Sequence, residues 1–350
     1  MFPASMAAQR DRLVGALLQI VGNVHQVEAV VPYLRQLGVD HRKYDVLDEH
    51  YPEVGASLLA TLEHFLGEAW TPDLAADWAE AYGLVAQVMT EAAHESTQPP
   101  WYEAEVVDHE QRVPGLAVLT LRPDRPVPYT PGQSVSVQTP LVPRLWRSYS
   151  PANAPRHDGT IELHVRAIDG GWVSGPLVYL TAKGDVLRLG APIGEGLSMS
   201  QRAQSDILML AGGTGLAPLR AIVEELARHR QRRQVYLYVG GRTAAELYDL
   251  PMLRLLQQEL SWLHVLPVVS RDPGSLMYPG EPAEVAVSHR SWADAEVFVC
   301  GSPTMVETSL RALAMSGVDP ARVRREAWSY DRHTAGTAGQ ARTTTQGVQA

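Results

Sequence analysis

The hydrophobic pattern changes period twice along this 350-residue chain, and that change limits the folds open to it. Between residues 6 and 96 apolar residues recur at helical spacing: Leu13, Leu17, Leu18 and Val21, then Val27, Val30, Val31 and Leu34. Residues 55–67 and 72–93 keep the same period, with Asp and Glu near their starts. A polar, proline-ended stretch at 96–100 follows. Beyond it lie short strand-like runs at 103–107, 117–121, 134–138, 161–167 and 186–189, separated by Pro and Gly. Such runs predict a small antiparallel barrel. From Asp206 onward, apolar runs at 207–211, 235–239, 264–269 and 296–300 alternate with helical stretches such as 217–228. That alternation predicts a parallel sheet covered by helices. The expected organisation is a helical unit over 1–96, a linker at 97–100, a barrel over 101–204 and an α/β unit over 205–332. The Thr-, Ala-, Gly- and Gln-rich residues 333–350 read as a disordered tail.

Charge follows the same division. Residues 1–96 hold 14 acidic against 5 basic residues, which leaves 25 against 25 in the remainder. An acidic first quarter on a neutral remainder points to two units of different origin. It argues against nucleic acid as a partner, because neutralising phosphates needs a basic surface. No apolar run is long enough to span a membrane, and no secretory leader is visible in the first residues. The single cysteine, Cys300, cannot form an internal disulfide, so the chain reads as cytoplasmic. One cysteine also cannot by itself build a thiolate zinc site or an iron–sulfur cluster.

Four motifs occur in order in the second and third units. They are Arg147-Ser148-Tyr149-Ser150, Gly170-Gly171-Trp172-Val173-Ser174, Gly212-Gly213-Thr214-Gly215-Leu216-Ala217-Pro218 and Cys300-Gly301-Ser302-Pro303. Arg147 offers a planar fork suited to a diphosphate. Tyr149 offers an aromatic face and a hydroxyl, and Ser150 a short hydroxyl. Gly170 and Gly171 let a backbone pass close to a phosphate, and Val173-Ser174 open a helix whose N–H groups favour an anion. Residues 212–218 form a strand–turn–helix motif suited to a dinucleotide pyrophosphate. Pro218 stands where the Rossmann fingerprint has its third glycine. In order and spacing, residues 101–330 resemble the ferredoxin–NADP reductase-like superfamily of flavin reductases.

That resemblance implies FAD and NAD(P)H as cofactors, with hydride passing from nicotinamide to flavin N5 and electrons leaving singly. It puts Ser150 at N5, Cys300 and Gly301 near the nicotinamide, and Glu326 as an acid close to the flavin. It puts His164 and Arg166 near the flavin, although His164 reads equally as an ordinary strand residue. Trp328 is expected to cover the ring, or else to pack in the core. Arg242 and Arg271 follow later strands, where nucleotides bind in open sheets. They are expected either at the adenosine ribose or its 2′-phosphate, or as solvated surface residues, so NADH and NADPH are not distinguished.

A helical unit in front of such a reductase resembles the flavohaemoglobins, the globin–reductase fusions whose family activity is nitric oxide dioxygenation. Phe2-Pro3 resembles the globin corner in which a Phe packs on haem. Gln9 and Leu13 then fall where the family places a distal Gln and Leu. His41, after a helix, is the expected iron ligand of a haem b, bound through a neutral imidazole nitrogen. Tyr51, ten positions on, and Glu95 complete the hydrogen-bonded set that the family joins to this His. The order matches when a short insertion near Trp70 is allowed. By comparison with a full globin, the helices before the Phe2 corner are missing, among them the one carrying the family's distal Tyr.

The expected architecture is therefore a partial all-α globin, an antiparallel FAD-binding barrel and a parallel-sheet NAD(P)-binding domain, with nitric oxide and oxygen as substrates. One alternative is an NAD(P)H:flavin reductase with a haem-free globin remnant, passing electrons to small acceptors or a partner protein. Another is a helical docking or sensor module without haem.

Overall fold

The computed structural model describes residues 27–194, 197, 205–229 and 233–327. The expectations for Phe2, Gln9, Leu13 and Trp328 lie outside the described residues.

Among the described residues the leading α-helices are α1 (Val27–His41), α2 (His50–Leu66) and α3 (Pro72–Glu95). The start of α3 is written in its sequence. Thr71 accepts the Leu74 N–H on its hydroxyl at 3.2 Å, and Pro72 occupies the first turn, where no N–H is needed. Val30 and Leu34 of α1 pack on Met89 of α3, with Leu37, Val85 and Val88 around them. Gly38 allows this approach, because a Cβ there would lie 2.2 Å from the Met89 carbonyl oxygen.

The second unit is a six-stranded antiparallel sheet in the order β4-β3-β6-β1-β2-β5. Its strands are β1 (Tyr102–Val113), β2 (Leu116–Pro123), β3 (Val135–Gln138), β4 (Arg147–Tyr149), β5 (Ile161–Arg166) and β6 (Val186–Leu189). A bridge from Pro151 to Leu163 joins the two edges and closes the barrel. Its core holds one face of each strand, including Val135, Val137, Ile161, Leu163, Val165, Leu187 and Leu189. Helix α4 (Ser174–Tyr179) caps it, with Leu177 and Val178 in that core.

The third unit is a six-stranded parallel sheet, β10-β9-β8-β7-β11-β12. It comprises β7 (Ile207–Gly212), β8 (Val235–Gly241), β9 (Leu263–Val269), β10 (Tyr278–Pro279), β11 (Glu296–Gly301) and β12 (Val323–Ala327). Helices α5 (Leu216–Ala227), α6 (Leu250–Glu259), α7 (Pro282–His289) and α8 (Pro303–Met315) cover it. The unbroken apolar run of β7 is explained by burial on both faces. Ile207, Met209 and Ala211 enter one core, and Leu208 and Leu210 the other. The short strands β4, β10 and β12 were not expected. β4 and β10 are too short to show a period, and β12 reads Val-Arg-Arg-Glu-Ala, the charged pattern of a sheet edge.

The helical unit is tied to the barrel just beyond α1. Lys43 is buried, and its ammonium donates to Ser136 Oγ on β3 at 3.0 Å and to Asp40 at 2.5 Å. Arg42 donates to the Gln98 carbonyl at 2.7 Å, and Gln36 to that of Pro192 at 3.3 Å.

Replacing Gly38 with alanine is expected to wedge α1 from α3 and to cost about 1–3 kcal/mol. Urea denaturation followed by circular dichroism checks this, and an unchanged midpoint would rule out the close helix crossing.

Candidate functional site

The residues expected at the reacting centre come from three separate strands. Ser150 directly follows β4 of the barrel and is buried. Cys300 and Glu326 are register partners on β11 and β12 of the parallel sheet. Ser150 Oγ donates to Glu326 Oε1 at 2.7 Å, a bond that crosses 176 positions of sequence and joins the two units. The other carboxyl oxygen, Oε2, is buried with no hydrogen-bond partner among the described residues. Burial pushes the Glu326 carboxyl above its ordinary value, against the opposing pull of the Ser150 hydroxyl. Burial, reinforced by the nearby Glu326 carboxylate, also pushes the Cys300 thiol well up. Cys300 is therefore held as a thiol and is a poor nucleophile.

Cys300 also bounds the glycine turn. A Cβ on Gly215 would lie 2.3 Å from the Cys300 carbonyl oxygen, so the start of α5 sits directly on the end of β11. Gly213 takes a φ of +55°, open to glycine at little cost. Gly212 and Gly301 lie side by side on the adjacent strands β7 and β11, and Thr214 is half-buried at the tip of the turn. Pro218 is buried in the first turn of α5, where its missing N–H is tolerated.

On the barrel side, Arg147 is half-buried and donates to the Trp146 carbonyl at 2.9 Å. Tyr149 is buried in the barrel core, and burial raises its hydroxyl pKa. The Gly170-Gly171 turn closes on itself. The Gly171 N–H donates to the Ile168 carbonyl at 2.8 Å, and Ser174 Oγ accepts the Ile168 N–H at 3.3 Å. Val173 packs into the barrel core beneath it.

One expected flavin neighbour, His164, bonds across the boundary between barrel and α/β unit. On β5, Ile161, Leu163 and Val165 face the barrel core, so the alternation sends Glu162, His164 and Arg166 to the opposite face. His164 is buried there, bonded through Nδ1 to the Tyr248 hydroxyl at 2.7 Å and through Nε2 to Glu162 at 3.1 Å. The strand residue expected at the flavin thus belongs to the seam between barrel and α/β unit. Strand periodicity alone could have shown that Glu162, His164 and Arg166 share a face.

Arg242 and Arg271 stand at the C-terminal ends of β8 and β9, joined by an Arg271 N–H to Arg242 carbonyl bond of 2.8 Å. The Arg242 guanidinium is held by Glu246, which also accepts the Arg242 backbone N–H at 2.9 Å.

In the helical unit, His41 Nδ1 meets the Leu37 carbonyl at 2.8 Å. A carbonyl only accepts, so the ring proton lies on Nδ1 and the Nε2 lone pair is left for a ligand. Burial lowers the His41 pKa and so favours the neutral ring that iron requires. These residues fit a single axial imidazole. Tyr51 packs against the α1–α3 core, and its carbonyl accepts the Tyr82 hydroxyl at 2.6 Å. Glu95 departs from expectation. Its carboxylate is exposed and ion-paired with Arg35, six positions before His41 on α1 and so on another face of the helix. No bond joins Glu95 to His41 among the described residues.

Comparison with known proteins follows the same three units. Residues 3–89 match the globin family, 103–196 the oxidoreductase FAD-binding domain and 209–310 the oxidoreductase NAD-binding domain. The Bacillus subtilis flavohemoprotein is 24% identical over 91% of this chain and 84% of its own length. The reductase subunit of an Amycolatopsis aromatic O-demethylase is 35% identical, over 57% of this chain and 61% of its own length. Among solved structures, a Malassezia yamatoensis flavohemoglobin with bound FAD and heme superposes with a TM-score of 0.77 at 20% identity. It covers 94% of this chain and 89% of that one. The chain carries a globin segment joined to FAD-binding and NAD-binding oxidoreductase domains, and over 91% of its length it is similar to flavohemoproteins.

Proposed function

We propose that this chain takes electrons from NAD(P)H through FAD to a haem b held by the globin segment, and uses them in nitric oxide dioxygenation with oxygen as co-substrate. The observation that carries the electron-transfer reading is the meeting of Ser150, Glu326 and Cys300, from two units, at one buried point. When bound, the nicotinamide and flavin supply hydride transfer, and the haem supplies one-electron and oxygen chemistry.

The residues divide the work. Gly212, Gly213, Thr214 and Gly215 offer backbone to the nucleotide pyrophosphate, and Pro218 sets the helix that follows. Arg242 and Arg271 lie at the adenosine end, where Glu246 already neutralises Arg242. Arg147, Tyr149, Gly170, Gly171, Val173 and Ser174 hold the flavin. Ser150 orients its reacting edge, and its proton is committed to Glu326 Oε1. Cys300 and Gly301 shape the nicotinamide pocket without covalent chemistry. His41 holds the haem iron through Nε2, and Tyr51 packs the helix behind it. The placement of Glu95 on Arg35 removes it from the set that would strengthen the His41 imidazole.

The proposed setting is the cytoplasm. Among the described residues no helix is long and apolar enough to cross a membrane. A second reading, a reductase serving a separate protein acceptor, is favoured by one observation. Two relatives of higher identity, an electron transfer component of a xylene/toluene monooxygenase and a reductase subunit of an aromatic O-demethylase, match only 58% and 57% of this chain.

Ser150→Ala is expected to slow anaerobic bleaching of the bound flavin by NAD(P)H at least about tenfold, with FAD content unchanged. An unaltered single-turnover rate would remove Ser150 from the reacting centre. His41→Ala is expected to abolish the Soret band while the flavin spectrum stays, whereas a normally ligated haem in that variant would exclude His41 as ligand.

Glu326 predicts a pH effect on stability. Its folded pKa lies above the ordinary 4.5, so its contribution is complete below that pH and is lost as pH rises through the folded value. Glu326→Gln avoids that loss. Its melting temperature is expected to gain on the native chain as pH rises from 4.5 to neutrality, and a constant difference would contradict a raised pKa.

A further inference from the structure

Between the barrel and the α/β unit lies a buried layer of charge that the proposed transfer does not use. Glu162 and His164 on β5, Arg220 on α5 and Asp249 before α6 are all buried. Arg220 forms an ion pair with Glu162 across the seam, and its Nη1 reaches Asp249 Oδ2 at 3.3 Å. Arg156 of the barrel reaches Glu224 of α5 at 3.2 Å, and Arg112 of β1 faces Asp249 at 3.9 Å. The Ala154 N–H donates to Glu224 at 3.3 Å. Every ion pair across the seam joins opposite signs. The barrel presents Arg112, Arg156 and Glu162, and the α/β unit answers with Asp249, Glu224 and Arg220.

The histidine completes the layer as a relay of hydrogen bonds. Burial raises the Tyr248 hydroxyl well above its usual pKa, so Tyr248 stays neutral, hydrogen-bonded to His164 Nδ1 at 2.7 Å. His164 Nε2 lies 3.1 Å from Glu162 Oε1 and 3.2 Å from Arg220 Nη1, so the ring sits within the ion pair. Burial alone would raise the Glu162 carboxyl, but His164 and Arg220 outweigh it and hold the group ionised.

Both sides of this layer connect directly to the reacting centre. On the barrel side, the Ala152 N–H donates to the Glu162 carbonyl at 2.7 Å and Pro151 bridges Leu163, so the segment after Ser150 is pinned to β5. On the other side, Arg220 stands five positions after Gly215, on the helix whose first turn rests on the Cys300 carbonyl. A shift at the Arg220–Glu162 pair therefore moves Ser150 relative to Cys300.

We infer that Glu162, His164, Arg220 and Asp249 are positioning residues for hydride transfer, which set the register of the NAD-binding unit on the flavin barrel. This rests on the reductase reading above. A buried layer whose charges meet opposite charges across the seam suits the task, because an offset of one pair leaves an uncompensated buried charge. Apolar contacts would slide at far smaller cost. A displacement of about 1 Å between reacting groups can cost a hundredfold in rate.

The test uses the full chain with FAD bound, mixed anaerobically in stopped flow with saturating NADH or NADPH, whichever bleaches the native flavin faster. Native flavin that neither nucleotide bleaches overturns the reductase reading itself, and the positioning role with it. Given native bleaching, Arg220→Gln and Glu162→Gln are each expected to slow the saturated rate about tenfold. FAD content is expected to stay unchanged, and the isotope effect with 4-deuterated nucleotide to rise. The double variant is expected to be no slower than the slower single one, because both break the same pair. A purely structural role would lower the melting temperature and leave the saturated rate and isotope effect alone. A folded, FAD-replete Arg220→Gln within twofold of native therefore overturns the proposal. Where Arg220→Gln and Glu162→Gln do not fold, His164→Gln and the half-exposed Arg156→Gln decide. Slowing beyond twofold in either supports positioning, and native rates in both overturn it.

Discussion

Charge removed from water must meet its partner or remain uncompensated, and that rule governs how the two reductase units sit together. Arg220 projects from α5 into the barrel surface, where Glu162 waits with His164 already bonded to it. Neither unit could bury these groups by itself. Such a layer contributes little net stability, because the loss of hydration offsets most of the attraction. What it supplies is a single register. The Ser150–Glu326 bond also spans the units and is made in that register.

The reacting centre follows from that closure. Ser150 directly follows a three-residue strand, Cys300 comes from the strand next to the edge of the parallel sheet and Glu326 from that edge. Their chemistry is set by enclosure. The thiol is held protonated and the carboxyl pKa is raised, both chiefly by burial. A polar centre with one unsatisfied carboxyl oxygen is what a site awaiting a cofactor would present.

The globin segment is joined to this machinery by a shorter tether. Lys43 lies two residues beyond His41 and reaches Ser136 on β3, so the helix that ends in His41 is anchored to the flavin barrel. The Leu37 carbonyl orients the imidazole from within the same helix, a local device that needs no other element. Glu95 shows the opposite case. Its place in the chain matched the expected spacing, but its helix directs it to Arg35 and solvent.

The sequence by itself determined the class and order of the three units. The change of hydrophobic period, the glycine turn after β7 and the Thr71 and Ser302 caps are local, and local patterns survive without a tertiary context. It also placed His41 at a helix end, where the Leu37 carbonyl one turn back reaches its ring. Where side chains from different units meet was left to the tertiary structure. His164 was legible as a strand residue but not as part of a seam, because its partners Tyr248 and Arg220 lie 84 and 56 positions away. The edge strand β12, with its charged pattern, gave little sign of itself, although Glu326 on it completes the centre. The physical reason is the same throughout. Backbone periodicity is encoded residue by residue, whereas the pairing of buried charges depends on which surfaces close over one another.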